Sequence, residues 1–298
     1  MDEVWDRVDR ADPPSGPATA PAALARRRQL AGETTAKLLR MDKPNAVTDS
    51  PCPVIRPTIR PAIKSATDPA QPSACTLAAT ALIDSDHPAV LAFAALHAVG
   101  ADERTRAVAL YNAVRDGFRY DPYKADLSSA GMKASTVLAQ GYGWCLPKAV
   151  LLAAVCRAAG IPARLGFADV RNHLSTERMR QHMATEVFYW HGYAELWIDG
   201  AWRKATPAFN LSRCQKFGLL PLDFNGHDDS IYHPFDQAGN RHRAYGAQRG
   251  SVDDLPLDQI MADFRMHYPQ WIANMAQQQS ADFLAEVDAE LAQPGTPA

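Results

Sequence analysis

The chain has no excess charge of either sign: 31 Lys+Arg stand against 33 Asp+Glu in 298 residues, a formal net of -2. A polyanion needs a basic field to hold it, so nucleic acid is not an expected partner. The one dense basic cluster, Arg26-Arg27-Arg28, stands alone. Long apolar runs are missing as well. The longest nearly apolar stretch, Pro88 to Gly100, contains His97 and is too short to span a bilayer. The start, MDEVWDRVDRADPP, is acidic where a secretory signal would be basic and then apolar. A soluble, cytoplasmic protein without a membrane partner is therefore expected, its oligomeric state left open. Cysteine is sparse: positions 52, 75, 145, 156 and 214 show no CxxC spacing and no dense framework, so reduced thiols are expected. GxGxxG, phosphate-loop and HExxH motifs are all absent, and no cofactor or metal is expected.

What remains has an ordinary globular balance, 47% hydrophobic and 21% charged, and is long enough to bury a core. Prolines at 13, 14, 17, 21, 51, 53, 57 and 61 break residues 1–65 into short pieces, leaving room for one helix over 22–41. This region reads as an extension. Organised structure is expected over 66–250, followed by C-terminal helices within 251–298. CTLAATALI suggests a strand. Asp84-Ser85-Asp86 ahead of Pro88 suggest a cap for the helix PAVLAFAALHAV, and apolar spacings of three and four suggest a second helix from Asp102 to Arg115.

The informative core begins at Gln140. GYGWC is followed by LPKAVLLAAVCRAAG, a helix apolar on nearly all sides, hence central, and stopped by Gly160. IPARLGFAD (161–169) reads as a strand, and VRNHLSTERMRQHM as a loop with a short helix. EVFYWHGYAELWIDGAWRKATPAF is a hairpin whose two alternating runs meet at Asp199-Gly200, a preferred two-residue turn.

Two cysteines flank this helix with different prospects. Cys156 lies deep in the apolar run and reads as a small buried hydrophobe. Cys145 stands at the helix start, where Gly141 and Gly143 permit a sharp turn and close backbone approach. The first-turn amides are unpaired by the helix, and Pro147 has none to waste. Those N–H groups and the aligned peptide dipoles favour a thiolate and can receive the oxyanion of a tetrahedral intermediate. Trp144 is placed to wall the cleft, and Gln140 to reach an oxyanion with its amide. The competing reading of Cys145 is a structural thiol.

The hairpin offers the base. In strict alternation Phe188, Trp190, Gly192, Ala194, Leu196 and Ile198 face the core, and Val187, Tyr189, His191, Tyr193, Glu195 and Trp197 face a cleft. With the turn at 199–200, Glu195 lies opposite Lys204 as a charge pair and His191 opposite Ala208, with Thr206 and Asn210 as diagonal neighbours. A histidine acting on a thiol needs its second nitrogen held by an acceptor. Thr206 offers its hydroxyl oxygen and Asn210 its amide oxygen. Elsewhere, His227, Asp228, Asp229, His233 and Asp236 carry metal-type donors, but in a segment where such residues ordinarily cap turns and face water. His173 and His182 flank a loop suited to substrate contact, and Arg164 suits a substrate carboxylate or a buried ion pair.

The blocks GYGWC (141–145), LLAAVCRAAGIPARLGF (151–167) and HGYAELWIDGAWRKATPAF (191–209), with VRDGFRYDPY (114–123) upstream, resemble the transglutaminase-like superfamily, a branch of the papain-like cysteine enzymes. The resemblance implies an α+β fold in which a nucleophile-bearing helix packs against an antiparallel sheet bearing the histidine. It implies a cysteinyl thioester formed by Cys145 with His191 as base. The acyl donor would be an amide-containing small molecule or peptide, and the acceptor water or, as in transglutaminases, an amine. Members without catalysis also exist, so a non-catalytic interaction module is the other expectation. The third catalytic position is ordinarily an aspartate before a proline. Here it is Thr206 before Pro207, with Asn210, Asp223, Asp228 and Asp229 as substitutes.

Overall fold

Along the chain, the helix that begins at Cys145 precedes the four-stranded sheet. The computed structural model describes residues 71–171, 176–216, 220–231 and 245–292. The proline-rich extension and its expected helix therefore lie outside the described residues. The helices are α1 (Pro88–His97), α2 (Glu103–Gly117), α3 (Ala134–Gln140), α4 (Cys145–Ala158), α5 (Glu177–Met183), α6 (Leu211–Lys216), α7 (Leu257–His267), α8 (Pro269–Ala273), α9 (Met275–Gln279) and α10 (Phe283–Leu291). The strands are β1 (Arg119–Tyr120), β2 (Tyr142–Gly143), β3 (Ala163–Arg171), β4 (Val187–Ile198), β5 (Ala201–Ala205) and β6 (Tyr245–Val252). β3 to β6 form one antiparallel sheet in the order β5-β4-β3-β6, while β1 and β2 pair in parallel. This is the α+β architecture expected from the sequence. Among the described residues no helix is long and apolar enough to cross a membrane.

α4 is the hub. From Leu146 to Cys156 every residue is buried, and the helix packs against α1, α2 and α3 and against β3 and β4. A helix without a polar face can be stable only in such a position. Its end is set by Gly160, at φ 78, where the left-handed backbone lets Ile161 N–H return to the Cys156 carbonyl. Arg157 in the last turn donates to the carbonyls of Ala163, Ala78 and Asp253, pinning three segments to the helix end; burial pulls its guanidinium down to about 10.

The hairpin has the expected register: Asp199 and Gly200 both take positive φ, and Glu195 faces Lys204. The expected charge pair does not form there. Glu195 pairs instead with Arg164 on β3, 2.6 Å away, and Lys204 lies over the Tyr193 ring. Two further expectations are corrected. CTLAATALI (75–83) forms no strand, and a short 3-10 turn, Ala74–Thr76, runs into its start; its small alanines leave little to bury on a sheet face. The cap of α1 is His87, whose Nδ1 accepts from Ala89 N–H, while Asp84 reaches across to Ser135. Cys75 is disulfide-bonded, so reduced thiols do not hold at that position, whereas Cys145, Cys156 and Cys214 are buried and in no disulfide.

The sheet extends beyond the expected hairpin. β6 runs through the boundary drawn at residue 250, and the helices after it pack back on the sheet. α7 meets β4, and α8 meets α5.

Candidate active site

Each residue of GYGWC has a local task. Gly141 ends α3 in the left-handed conformation, φ 74, with its N–H on the Val137 carbonyl. Tyr142 and Gly143 pair with Arg119 and Tyr120, anchoring the segment. Trp144 is extended at the N-cap, and Cys145 begins the helix. The sulfur thus sits at the positive end of a 14-residue buried helix, on a residue only 5% exposed.

Cys145 and His191 border the same recess, whose empty space, open solvent included, is about 570 Å³. Its wall comes from six parts of the chain. Tyr120 and Pro122 lie after α2, and Trp144 precedes Cys145. Met179 and Met183 come from α5, Val170, Phe188 and Tyr189 from the sheet, and Phe209 from the stretch after β5. Phe264, Tyr268 and Trp271 come from the C-terminal helices. The wall is overwhelmingly aromatic and thioether in character, and among the described residues no carboxylate, lysine or arginine borders it. Gly192 brings the two catalytic candidates' elements into contact. A Cβ there would lie 2.7 Å from Leu146 Cδ2 and 3.3 Å from Leu146 Cα, so β4 rests directly on the first turn of α4.

The other candidates are distributed differently. Trp144 borders the recess, its ring edge-on to Trp271. Gln140 is exposed at the end of α3 and lines a separate, smaller cavity, so the expected oxyanion donor does not stand in the Cys145 recess. Thr206 is buried, with its hydroxyl donating to the Ile231 carbonyl and its backbone held by Ser230 and Tyr111. Asn210 gives its amide N–H groups to the carbonyls of Arg115, Asp116 and Phe118 and accepts from Tyr120 N–H, an anchoring role. The substitute carboxylates are also engaged: Asp223 with Arg115, Asp228 with Asn225 and His227, Asp229 with Lys204 N–H. His227 and Asp228 are exposed in a turn capped by Asn225, while His233, Asp236 and His173 lie outside the described residues. His182 meets Gln278 of α9, and Arg164 is spent on Glu195.

Sequence reasoning missed three features. Lys148, in the first turn of α4, is fully buried and donates to the carbonyls of Arg115, Phe118 and Ala208 at 2.9, 2.7 and 2.9 Å. A lysine in the first turn of a helix whose following eight residues are all apolar was the available signal. The second is the aromatic wall from α7 and α8. Tyr268 donates to the Val187 carbonyl and accepts from Tyr189 N–H, and burial pushes its hydroxyl well above the ordinary range. The third is a break in β4. Trp190 has φ 61, and the register with β3 shifts between Ala168 and Val170. Strict alternation therefore fails ahead of His191, and Phe188, expected in the core, borders the recess with it.

Residues 94–207 match the family model of the transglutaminase-like superfamily. A solved structure from Cytophaga hutchinsonii, of a protein provisionally assigned as a cysteine protease, aligns at 16% identity with a TM-score of 0.34, over 59% of this chain and 53% of that one. The chain thus spans about half the length of that protein. No curated protein matches the chain. Both Cys145 and His191 lie inside the segment that matches this family model.

Proposed function

We propose that the protein is a thiol-dependent amide or peptide hydrolase whose acyl donor carries a bulky apolar or aromatic group. One observation carries the reading: the cysteine at the first position of the buried helix α4 and the histidine of β4 border one aromatic recess. In this mechanism His191 takes the Cys145 proton, and the thiolate adds to the amide carbonyl. The oxyanion is received by first-turn N–H groups of α4, which have no partner within the helix. Protonated His191 then gives its proton to the departing amine, leaving a thioester on Cys145. Water, deprotonated by the same imidazole, releases the acid and restores the thiol. The acyl group would sit against Phe188, Phe209, Phe264 and Trp271, a surface that rewards apolar area and offers a charged side chain no counter-ion.

The test is intact-mass detection of an acyl adduct after exposure to a panel of aromatic, aliphatic and polar amides and peptides. The expected result is a thioester on wild type, absent in Cys145→Ala, which water discharges and which an added amine captures less readily. Iodoacetamide supplies a substrate-free control, since near neutral pH His191→Ala should slow alkylation of Cys145 at least tenfold. A fully modified Cys145→Ala protein, or a Cys145 that reacts like a free thiol with and without His191, would overturn the reading in favour of a non-catalytic module.

A further inference from the structure

β3 is regular where both of its neighbours are not. Between the pairs Val170↔Phe188 and Ala168↔His191, β4 spends three steps while β3 spends two. On the other side, Phe167 pairs with Gly250 and Ala168 with Gln248, so Arg249 is an extra residue in β6. The β3–β6 register shifts again between Ala168 and Val170, and these irregularities on the two neighbouring strands flank one side chain, Asp169, which is 8% exposed. Its Oδ1 accepts from Trp190 N–H at 3.1 Å on one side and from Arg249 Nε at 2.5 Å on the other. Arg249 also donates to Asp263 on α7 at 2.7 Å, and its guanidinium lies 4.5 Å from the centre of the Trp190 ring. Trp190 closes the circuit by donating from its indole nitrogen to Asp263 at 2.8 Å.

Trp190 adopts a left-handed backbone, which an aromatic residue takes only where its surroundings impose it. The residue after it is His191. A bulge shifts by one which side chains of a strand share a face, so its presence sets the direction of the imidazole. Phe188 and His191 are three apart, a spacing that places them on opposite faces of an unbroken strand, yet both border the recess.

We infer that Asp169, clamped by Arg249, is a positioning residue for His191: its carboxylate holds the left-handed turn at Trp190 that aims the imidazole at Cys145. Because Arg249 and Trp190 share Asp263, the same bridge ties the imidazole's position to the seating of α7, whose Phe264 walls the recess. The inference rests on the Cys145–His191 reading above. It needs no contact between Asp169 and substrate.

Iodoacetamide alkylation of Cys145 in the full-length protein, followed by peptide mass across pH 5 to 10, tests it without a known substrate. Asp169→Ala removes the acceptor for Trp190 N–H and should slow alkylation at pH 7 at least tenfold, with a pH profile like that of His191→Ala. Asp169→Asn keeps an acceptor oxygen in place and should stay within threefold of wild type. Should Asp169→Ala fail to fold, Arg249→Gln leaves the Trp190 bond in place and loosens the carboxylate, and a threefold or greater fall is expected. A folded Asp169→Ala or Arg249→Gln protein with the wild-type rate and profile overturns the positioning role while leaving the catalytic pair standing. A His191→Ala protein that alkylates like wild type removes the pair itself, and the positioning role with it.

Discussion

Lys148 carries its charge inside the buried helix α4, three residues after Cys145. An ammonium loses several kcal/mol of hydration on burial, and here three carbonyl oxygens replace the water. Those carbonyls belong to the end of α2, to the residue after it and to Ala208, so one side chain fastens the stretch leading to Tyr120 and the stretch leading to Phe209, both at the recess. Lys148→Met fills similar volume but leaves the three acceptors dry, and should cost about 3–5 kcal/mol of stability. Urea denaturation monitored by tryptophan fluorescence measures it; a loss below 1 kcal/mol would mean that water or another donor serves those carbonyls. At this scale the sequence was legible where chemistry and backbone coincide. Cys145 is marked by the glycines before it and the apolar helix after it, and His191 by being polar in an aromatic strand. Lys148 and Asn210 were not, because what they bind is backbone carbonyl from distant segments, and carbonyls leave no trace in residue identity.

β4 illustrates what an element adds. The turn at Asp199-Gly200 and the register beyond it follow from composition alone, since an Asp-Gly pair between alternating runs leaves few other geometries. The bulge at Trp190 does not, because tryptophan has no preference for positive φ; its partners are Asp169, backed by Arg249, and Asp263, all distant in sequence. The contact between β4 and α4 is equally specific. Gly192→Ala would set a methyl against Leu146, where the side chain can yield but the backbone at 3.3 Å has little room. A loss of about 1–3 kcal/mol is expected, together with slower Cys145 alkylation, because the strand carrying His191 must lift from the turn carrying the thiol. Pairing it with Leu146→Ala separates the two contacts: the double variant should stay slow if the backbone contact dominates, and recovery would assign the effect to the Leu146 side chain. Thermal melts and alkylation rates equal to wild type in Gly192→Ala would show that the close approach is not needed.

On the scale of the whole molecule, the segment 94–207 that matches the superfamily model holds Cys145 and His191, and residues after it complete the wall of their recess. The periodicity of the last fifty residues announces helices but not their destination, which depends on aromatic packing among Trp144, Phe264, Tyr268 and Trp271 that no local pattern encodes. α5 is drawn into the same wall by side chains from the end of the chain: Arg178 pairs with Glu286, and Glu177 N–H bonds to Glu290. If these helices set specificity, trimming one ring should alter discrimination more than reactivity. The comparison is the rate of Cys145 modification by a benzyl-bearing chloromethyl ketone relative to iodoacetamide, which is too small to use the wall. Trp271→Leu keeps apolar packing and should lower that ratio about tenfold, the scale of one lost pocket contact, with little change in the iodoacetamide rate. Trp271→Ala should lower it further at some cost in stability. A ratio that stays at the wild-type value in folded Trp271→Leu would mean that the acyl group lies elsewhere in the recess, against Phe188 and Phe209, and that the C-terminal helices support the site without selecting for it.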